Sequence, residues 1–290
     1  VIDMHLHSNW SDGGDTPFEL ARQAQAAGLD GAALTDHDTL SGLPEWEEAG
    51  GALGFPTYGG IEISCREPET GRPMHLLGYG IPPSGRALVE DFCAPVRQSR
   101  DEAVRESARR LQKAGYPVDV SPVEALAGPG GALFKQFIMR LLVEAGLCDG
   151  LYAPLYQTLF KTGENGRPPI ASLSFQAADP FEAIQCVRLA GGVTALAHPA
   201  QYDNFHLLPE LKEAGLWGIE AHHPAHNPEA AARCLMLADW YGLEITGGSD
   251  AHGCYGEGER VGQCGVDSCA VCVENPLRVF STRGKESARA

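Results

Sequence analysis

Apolar and polar positions alternate along the chain in a repeating order: a short apolar run, a turn rich in Gly or polar residues, then a stretch with helical spacing. Val1–His7 reads as a first strand. Thr16 and Pro17 supply an N-cap and a first-turn proline for a helix reaching Ala27, which Gly28 ends. Gly31–Thr35 reads as a buried strand, a helix starts near Ser41, Pro56–Ile63 is a strand, and His75–Tyr79 is another short apolar run. Further on, Pro180–Ala190, Leu207–Ala214 and Pro228–Tyr241 read as helices, alternating with strands at Gly192–Ala197, Gly218–Ala221 and Leu243–Gly247. Strand and helix in regular alternation predict an α/β fold with a mainly parallel sheet or barrel.

Between about Ser84 and Leu173 the rhythm breaks into a long helical stretch, Arg86–Lys113, and then helices near Leu133–Glu144 and Pro154–Thr162 separated by Gly and Pro. This predicts a discontinuous layout: residues 1–83 and 174–280 form the barrel, 84–173 an inserted helical subdomain that covers the site, and 281–290 a flexible tail.

A length of 290 residues accommodates one barrel-like domain, and 43% hydrophobic with 21% charged residues is ordinary for a soluble globular protein. The formal charge of −16 argues against binding long duplex nucleic acid, which needs a basic face. A small phosphorylated substrate is compatible with it, because bound dications make a site locally positive. No apolar stretch is long enough to span a membrane and no signal region opens the chain, so a cytoplasmic protein is expected. Nine cysteines spread along the chain fit reduced thiols better than a disulfide framework; Cys254, Cys264, Cys269 and Cys272 lack the second close pair of a zinc knuckle, and Ser268–Val273 reads as strand.

The candidate chemistry lies in the histidines. Six of ten, His5, His7, His37, His75, His198 and His252, sit in short clusters at predicted strand ends with Asp12, Asp36, Asp38, Glu62 and Asp250. His5 and His7, two apart on an extended strand, project from one face. Imidazole and carboxylate gathered from many strand ends is how a barrel builds a multinuclear site for manganese, zinc or iron. Any one histidine is more often satisfied by a backbone carbonyl than by a metal, but six such coincidences are not expected by chance.

In this order, Asp-x-His-x-His-Ser at Asp3–Ser8, Ser-Asp-Gly at Ser11–Gly13, Thr-Asp-His-Asp at Thr35–Asp38, Gly-x-Glu at Gly60–Glu62, Ala-His-Pro at Ala197–Pro199 and Gly-Ser-Asp-x-His at Gly248–His252 resemble the polymerase and histidinol phosphatase (PHP) family of metal-dependent phosphoesterases. The resemblance implies a distorted (β/α)7 barrel with two or three divalent metal ions at its C-terminal rim. It implies His5, His7, Glu62 and Asp250 for a first ion, Glu62, His75 and His198 for a second, and Asp12, His37 and His252 for a third. Asp36 and Asp38, flanking His37, would orient that imidazole or take part in proton transfer, with support the favoured role, and Glu220 would act as support rather than ligand.

Specificity is thinner. The family's nucleotide-directed subgroup carries a Gly-Arg-Pro-His-like stretch and a helical arginine, where this chain has Phe134–Arg140, so Lys135 and Arg140 are the phosphate-contact candidates. His223, in the cluster with His222 and His226, is a substrate-contact candidate; His206 is expected to have no chemistry. Phe134, Phe137 and Tyr156 lean towards a base slot and so towards a nucleotide, a nucleoside bisphosphate or an oligonucleotide end. A histidinol-phosphatase-like monoesterase is the alternative, followed by a carbon–nitrogen hydrolase and, from another class, a catalytically silent metal-binding or interaction module. Oligomeric state is not readable.

Overall fold

The structure is a computed structural model, described here for residues 1–164 and 166–267. Seven strands follow the chain around one sheet: β1 (Ile2–Asp3), β2 (Gly31–Leu34), β3 (Thr57–Arg66), β4 (Pro73–Tyr79), β5 (Val193–Leu196), β6 (Gly218–His222) and β7 (Glu244–Gly247), each hydrogen-bonded to the next in that order. Met4 N–H to Gly247 O, Asp250 N–H to His5 O and His7 N–H to Ala251 O bring the last strand back to the first. Gly248 permits this approach, since a Cβ there would lie 2.3 Å from the Cβ of His5. The result is the expected seven-stranded α/β barrel, distorted in one place.

That place is β4. It runs antiparallel to both β3 and β5, whereas every other neighbouring pair is parallel. The predicted mainly parallel sheet therefore holds with one reversal. A tight turn at 67–72 joins β3 to β4 as a hairpin, so no crossover helix is needed. The hairpin also explains why β3 reaches Arg66, beyond the predicted end at Ile63. The first predicted strand shrinks instead to Ile2–Asp3, followed by an extended segment bridged at Leu6 to Ala251.

Helices α1 (Pro17–Ala26) and α2 (Leu43–Leu53) follow β1 and β2; α7 (Pro180–Leu189), α8 (Pro199–Tyr202), α9 (Leu208–Ala214) and α10 (Pro228–Tyr241) alternate with β5–β7. Thr16 caps α1 in a reciprocal box with Glu19, and Asp179 and Asn227 cap α7 and α10. Between β4 and α7 lie α3 (Pro83–Lys113), α4 (Val120–Ala125), α5 (Lys135–Glu144), α6 (Pro154–Tyr156) and a wide π-type turn at Gln157–Thr162. The short α4 and α8 had no counterpart in the periodicity, being under two turns long.

The main core packs helices against the outer face of the sheet, with Ile61 and Ile63 pointing into it. Glu62, between them, takes the opposite face, and Leu77 stands across from it in register. A smaller cluster of Leu77, Tyr79, Ala195 and Ala197 fills that side. A further apolar cluster, from Val104 through Phe137 and Ile138 to Ala171, belongs to the helical stretch. Among the described residues every cysteine is free, as expected; Cys269, Cys272, the Ser268–Val273 run and the tail lie outside the described residues. Among the described residues no helix is long and apolar enough to cross a membrane.

Candidate metal centre

All nine residues proposed as ligands meet at one end of the barrel. His5 and His7 follow β1, His37 follows β2, His198 follows β5, and Asp250 and His252 follow β7. His75 reaches the same end from the start of β4 rather than from after a strand, because that strand runs the other way. Glu62 sits inside β3, whose extension carries it there.

Glu62 is the hub. Its Oε2 lies 3.2 Å from His5 Nε2, 3.1 Å from His7 Nε2 and 3.3 Å from His37 Nδ1, while Oε1 lies 2.6 Å from His75 Nδ1 and 2.9 Å from His198 Nε2. Asp250 Oδ1 lies 3.3 Å from His5 Nε2 and 3.0 Å from His7 Nε2. Asp12 Oδ1 lies 3.2 Å from His252 Nε2 and 3.9 Å from His37 Nε2. His5, His7, Glu62 and Asp250 thus form one group able to hold an ion, and Asp12, His37 and His252 form another, joined by His7. The latter addition was not foreseen: the Nδ1 edge of His7 faces Asp12 at 3.8 Å while its Nε2 edge faces Glu62.

The donor set fits cations on the structure's own bonding. His5 Nδ1 is 3.0 Å from Glu220 Oε1, and His252 Nδ1 is 2.7 Å from the carbonyl of Asp250. Both are acceptors, so each Nδ1 carries the proton and each Nε2 turns a lone pair towards carboxylate oxygen. His5 Nε2, His7 Nε2, His37 Nδ1, Asp12 Oδ1 and Asp250 Oδ1 are all buried without a hydrogen-bond partner. Facing lone pairs in a buried place call for positive charge between them.

Without that charge the groups shift strongly. Burial disfavours protonation of His7, but the carboxylates of Asp250 and Glu62 beside it outweigh it and hold its pKa at about 10. Burial lowers His37 to about 3, outweighing the attraction of Glu62 and Asp12. Burial works against the ionised forms of Asp12, Glu62 and Asp250, yet the surrounding imidazoles pull all three below the usual carboxylate range.

A belt of polar groups supports the centre. Glu220, buried in β6, also accepts the N–H of His198, and with His5 and His223 it forms a further group able to hold an ion. Asp36 accepts from Ser8 N, Ser8 Oγ and Ser11 Oγ, and Asp38 accepts from Ser64 N at 2.7 Å and pairs with Arg100. Both carboxylates are buried, Asp36 among serine donors and Asp38 against Arg100 at the edge of the cleft, an arrangement of the kind a supporting role would need. Asp38, His198 and Asp250 have left-handed backbone at φ 58°, 25° and 52°, strain that the surrounding bonds must sustain.

The cleft beside the centre is a cavity of about 210 Å³. Asp12, His37 and His75 border one side, and Arg66, Arg100, Phe134, Lys135, Gln136 and Lys161 border the rest. Lys135 therefore lies where a substrate contact was expected. Arg140 does not: it is exposed, pairs with Glu144 one turn along α5 at 2.6 Å, and is absent from the cavity wall. The first turn of α5 presents Lys135 and Gln136 to the cavity, and Arg140, five positions beyond Lys135, points about 140° round the helix from it. His223 lies against the centre rather than in the cleft. Ala225 N–H donates to its Nδ1, so Nε2 carries the proton and faces Asp250 Oδ2 at 3.3 Å.

Phe137 and Tyr156, expected to lean towards a base slot, are buried in the helical cluster instead. Sequence reasoning missed Gln136, whose Nε2 lies 3.0 Å from Asp12 Oδ2, and the cleft cations Arg66, Arg100 and Lys161. The signal for Arg66 was available, since it continues the alternation Glu62, Ser64, Arg66 along one face of β3.

A seven-stranded α/β barrel carrying a buried imidazole–carboxylate centre at one rim defines a metal-dependent hydrolase. The PHP domain model matches residues 3–113, and the chain belongs to the PHP family of metal-dependent phosphoesterases. It is 39% identical over 262 residues to the phosphoribosyl 1,2-cyclic phosphate 1,2-diphosphodiesterase of Eggerthella lenta, covering 90% of this chain and 98% of that one. It is 32% identical to the 3',5'-nucleoside bisphosphate phosphatase of Chromobacterium violaceum, covering 89% of each. A metal-dependent phosphoesterase structure from Bifidobacterium adolescentis superposes with a TM-score of 0.83 at 27% identity, over 97% of this chain and 96% of that one. The protein is a phosphoric ester hydrolase.

Proposed function

We propose that the enzyme hydrolyses a phosphate ester on a small ribose-based substrate that carries a second phosphate, with a phosphoribose 1,2-cyclic phosphate as the leading candidate. The observation that carries this reading is the cavity itself: a phosphoesterase centre on one side, and Arg66, Lys135 and Lys161 around the remainder. A substrate with one phosphate at the centre would leave those cations without a partner, whereas a second phosphate answers them. The extent of likeness to the Eggerthella lenta diesterase supports a cyclic phosphodiester.

The nucleoside bisphosphate expected from the sequence is the second reading, favoured by the relative from Chromobacterium violaceum. Its base would need a free aromatic face. Phe134 has Arg100 over its ring at 4.3 Å and Phe137 edge-on at 6.1 Å, leaving Tyr202 and Phe175 as the cavity's partly exposed rings. A cavity of about 210 Å³ does not suit long duplex nucleic acid, and a phosphorylated metabolite of this kind would be met in the cytoplasm.

We assign two or three divalent ions, manganese, zinc or iron, to the centre: His5, His7, Glu62 and Asp250 for one, Glu62, His75 and His198 for another, Asp12, His37 and His252 for a third. Such ions, when bound, supply hydroxide at neutral pH and neutralise developing charge on phosphate oxygens. The chain's own part is to hold and exclude. Glu220 and the carbonyl of Asp250 keep His5 and His252 with Nε2 inward, Gln136 steadies Asp12 from α5, and Lys135 grips the remote phosphate. Residues 84–173 act as a lid subdomain, keeping bulk water from the reacting phosphorus.

Phosphate release and ³¹P NMR with manganese-loaded protein test this, across a phosphoribose 1,2-cyclic phosphate, nucleoside 3',5'-bisphosphates, short oligonucleotides and histidinol phosphate. Ring opening of the cyclic ester at far lower concentration than the others is the expected result. Preference for the bisphosphates selects the second reading, and preference for histidinol phosphate would sink both.

A further inference from the structure

Arg100 borders the same cavity from α3, and its bonding is incomplete. Nη1 donates to Asp38 Oδ2, and the guanidinium lies over the ring of Phe134. The residue is 4% exposed, yet Nε and Nη2 are buried with no hydrogen-bond partner. A guanidinium has five N–H donors and stays charged, so an edge left unbonded in the interior is a cost that a structural ion pair alone would not incur.

We propose that Arg100 is a substrate-binding residue whose free Nε–H and Nη2–H edge donates to oxygens of the substrate's phosphate. The proposal rests on the phosphoesterase reading above and adds the group that recognises the anion. Two parallel donors match two phosphate oxygens, a fit that an ammonium group cannot reproduce. Asp38 leaves that edge free while fixing the other, so the fork is held before substrate arrives.

The surroundings show how firmly it is held. Asp38 is gripped from three directions: Ser64 N–H donates to Oδ1, Arg100 to Oδ2, and Arg97, one turn earlier on α3, to its carbonyl. The same turn of α3 places the cavity's other walls. Asp101 accepts the N–H of Leu133 at 2.8 Å, next to Phe134, and Ser99 Oγ accepts the N–H of Gln176 at 2.8 Å, next to Phe175. Arg100 is thus registered against the barrel on one side and the aromatic wall on the other. The helical pattern of α3 gave no hint of this, because an arginine among six on one long helix reads as a solvated charge.

The test uses the full-length protein and inorganic phosphate as the probe. Arg100→Lys keeps a cation for Asp38 and removes the fork. Phosphate affinity of the metal-free variant, read by calorimetry, is expected to fall about tenfold. With metal restored, KM should rise by about the same factor while kcat stays within about threefold, at unchanged metal content. Phosphate affinity and KM within twofold of the parent would overturn the proposal. Should the variant not fold, the unaltered protein still decides: phosphate must shift the ¹⁵Nε resonance of Arg100, and an unmoved resonance rejects the contact. A parent that binds phosphate through Arg100 but hydrolyses no ester would sink the substrate reading and leave this anion contact standing. Ester hydrolysis whose KM and kcat are both unaffected by Arg100→Lys would do the reverse.

Discussion

The two sides of the cleft are built by different means. The metal side is made of strand ends: Glu62, Asp250 and six histidines gathered at one rim, with the outer nitrogens of His5 and His252 fixed by Glu220 and the carbonyl of Asp250. The opposite side is made of helix and loop side chains, Arg100, Phe134, Lys135, Gln136 and Lys161, which share a cavity rather than a centre. The difference teaches where chemistry and specificity reside. One side tolerates almost no change because every ligand supports another, whereas the other can exchange residues singly and so retune the substrate.

The largest expected effect follows from the interlocked side. Asp250→Ala removes the oxygen facing both His5 and His7 and leaves their imidazoles in a buried site with less negative charge. Activity should fall about a thousandfold or more, with loss of bound metal measured by elemental analysis. A variant that kept full metal and activity would show that Glu62 alone holds the first group.

Metal uptake should depend on pH in a way that separates residues within that side. His7, held near pKa 10 in the ion-free protein by Asp250 and Glu62 against burial, is protonated at neutral pH and must release that proton to ligate. His37, lowered to about 3 by burial, is already neutral. Affinity should therefore rise with pH, about tenfold per unit for each proton displaced, between pH 6 and 8. Calorimetry in buffers of different ionisation enthalpy counts the protons; uptake without proton release would contradict the charge assigned to His7.

The contrast also explains what could be read beforehand. The residues gathered at the rim were legible because a barrel rim ties function to strand ends, and each end carries its own short motif, such as Thr35–Asp38 or Gly248–His252. The reversal of β4 was not legible, since an apolar run has no direction, yet His75 was still placed correctly because reversal brings its N-terminal end to the same rim. The helical side was read poorly. Nothing in the order of residues says which side of α5 faces the cleft until its partners are known, so Gln136 was passed over and Phe137 was assigned to a base slot. Arg66 lay within reach through strand alternation, but Arg100 needed the tertiary contact with Asp38.

On the helical side the effects should be graded. Lys135→Met removes a cleft cation without touching the centre, so KM should rise about tenfold with kcat nearly preserved, and the loss should shrink for a substrate lacking the second phosphate. An equal loss on both substrates would mean that Lys135 serves the reacting phosphate, moving it to the metal side of the comparison.

The smallest effect is the sharpest test of orientation on α5. Arg140 occupies the position of a helical arginine in the nucleotide-directed subgroup, but here it is exposed and bonded to Glu144, outside the cavity. An exposed pair four residues apart on a helix contributes only a few tenths of a kcal/mol. Arg140→Ala should therefore leave kcat/KM within about twofold of the parent and barely move the melting temperature. A tenfold loss of kcat/KM with the melting temperature unchanged would require α5 to rotate when substrate binds, bringing Arg140 inward at the expense of Glu144. The helical side would then be a moving wall against a fixed one, and the contacts of Gln136 and Lys135 would have to break in the same motion.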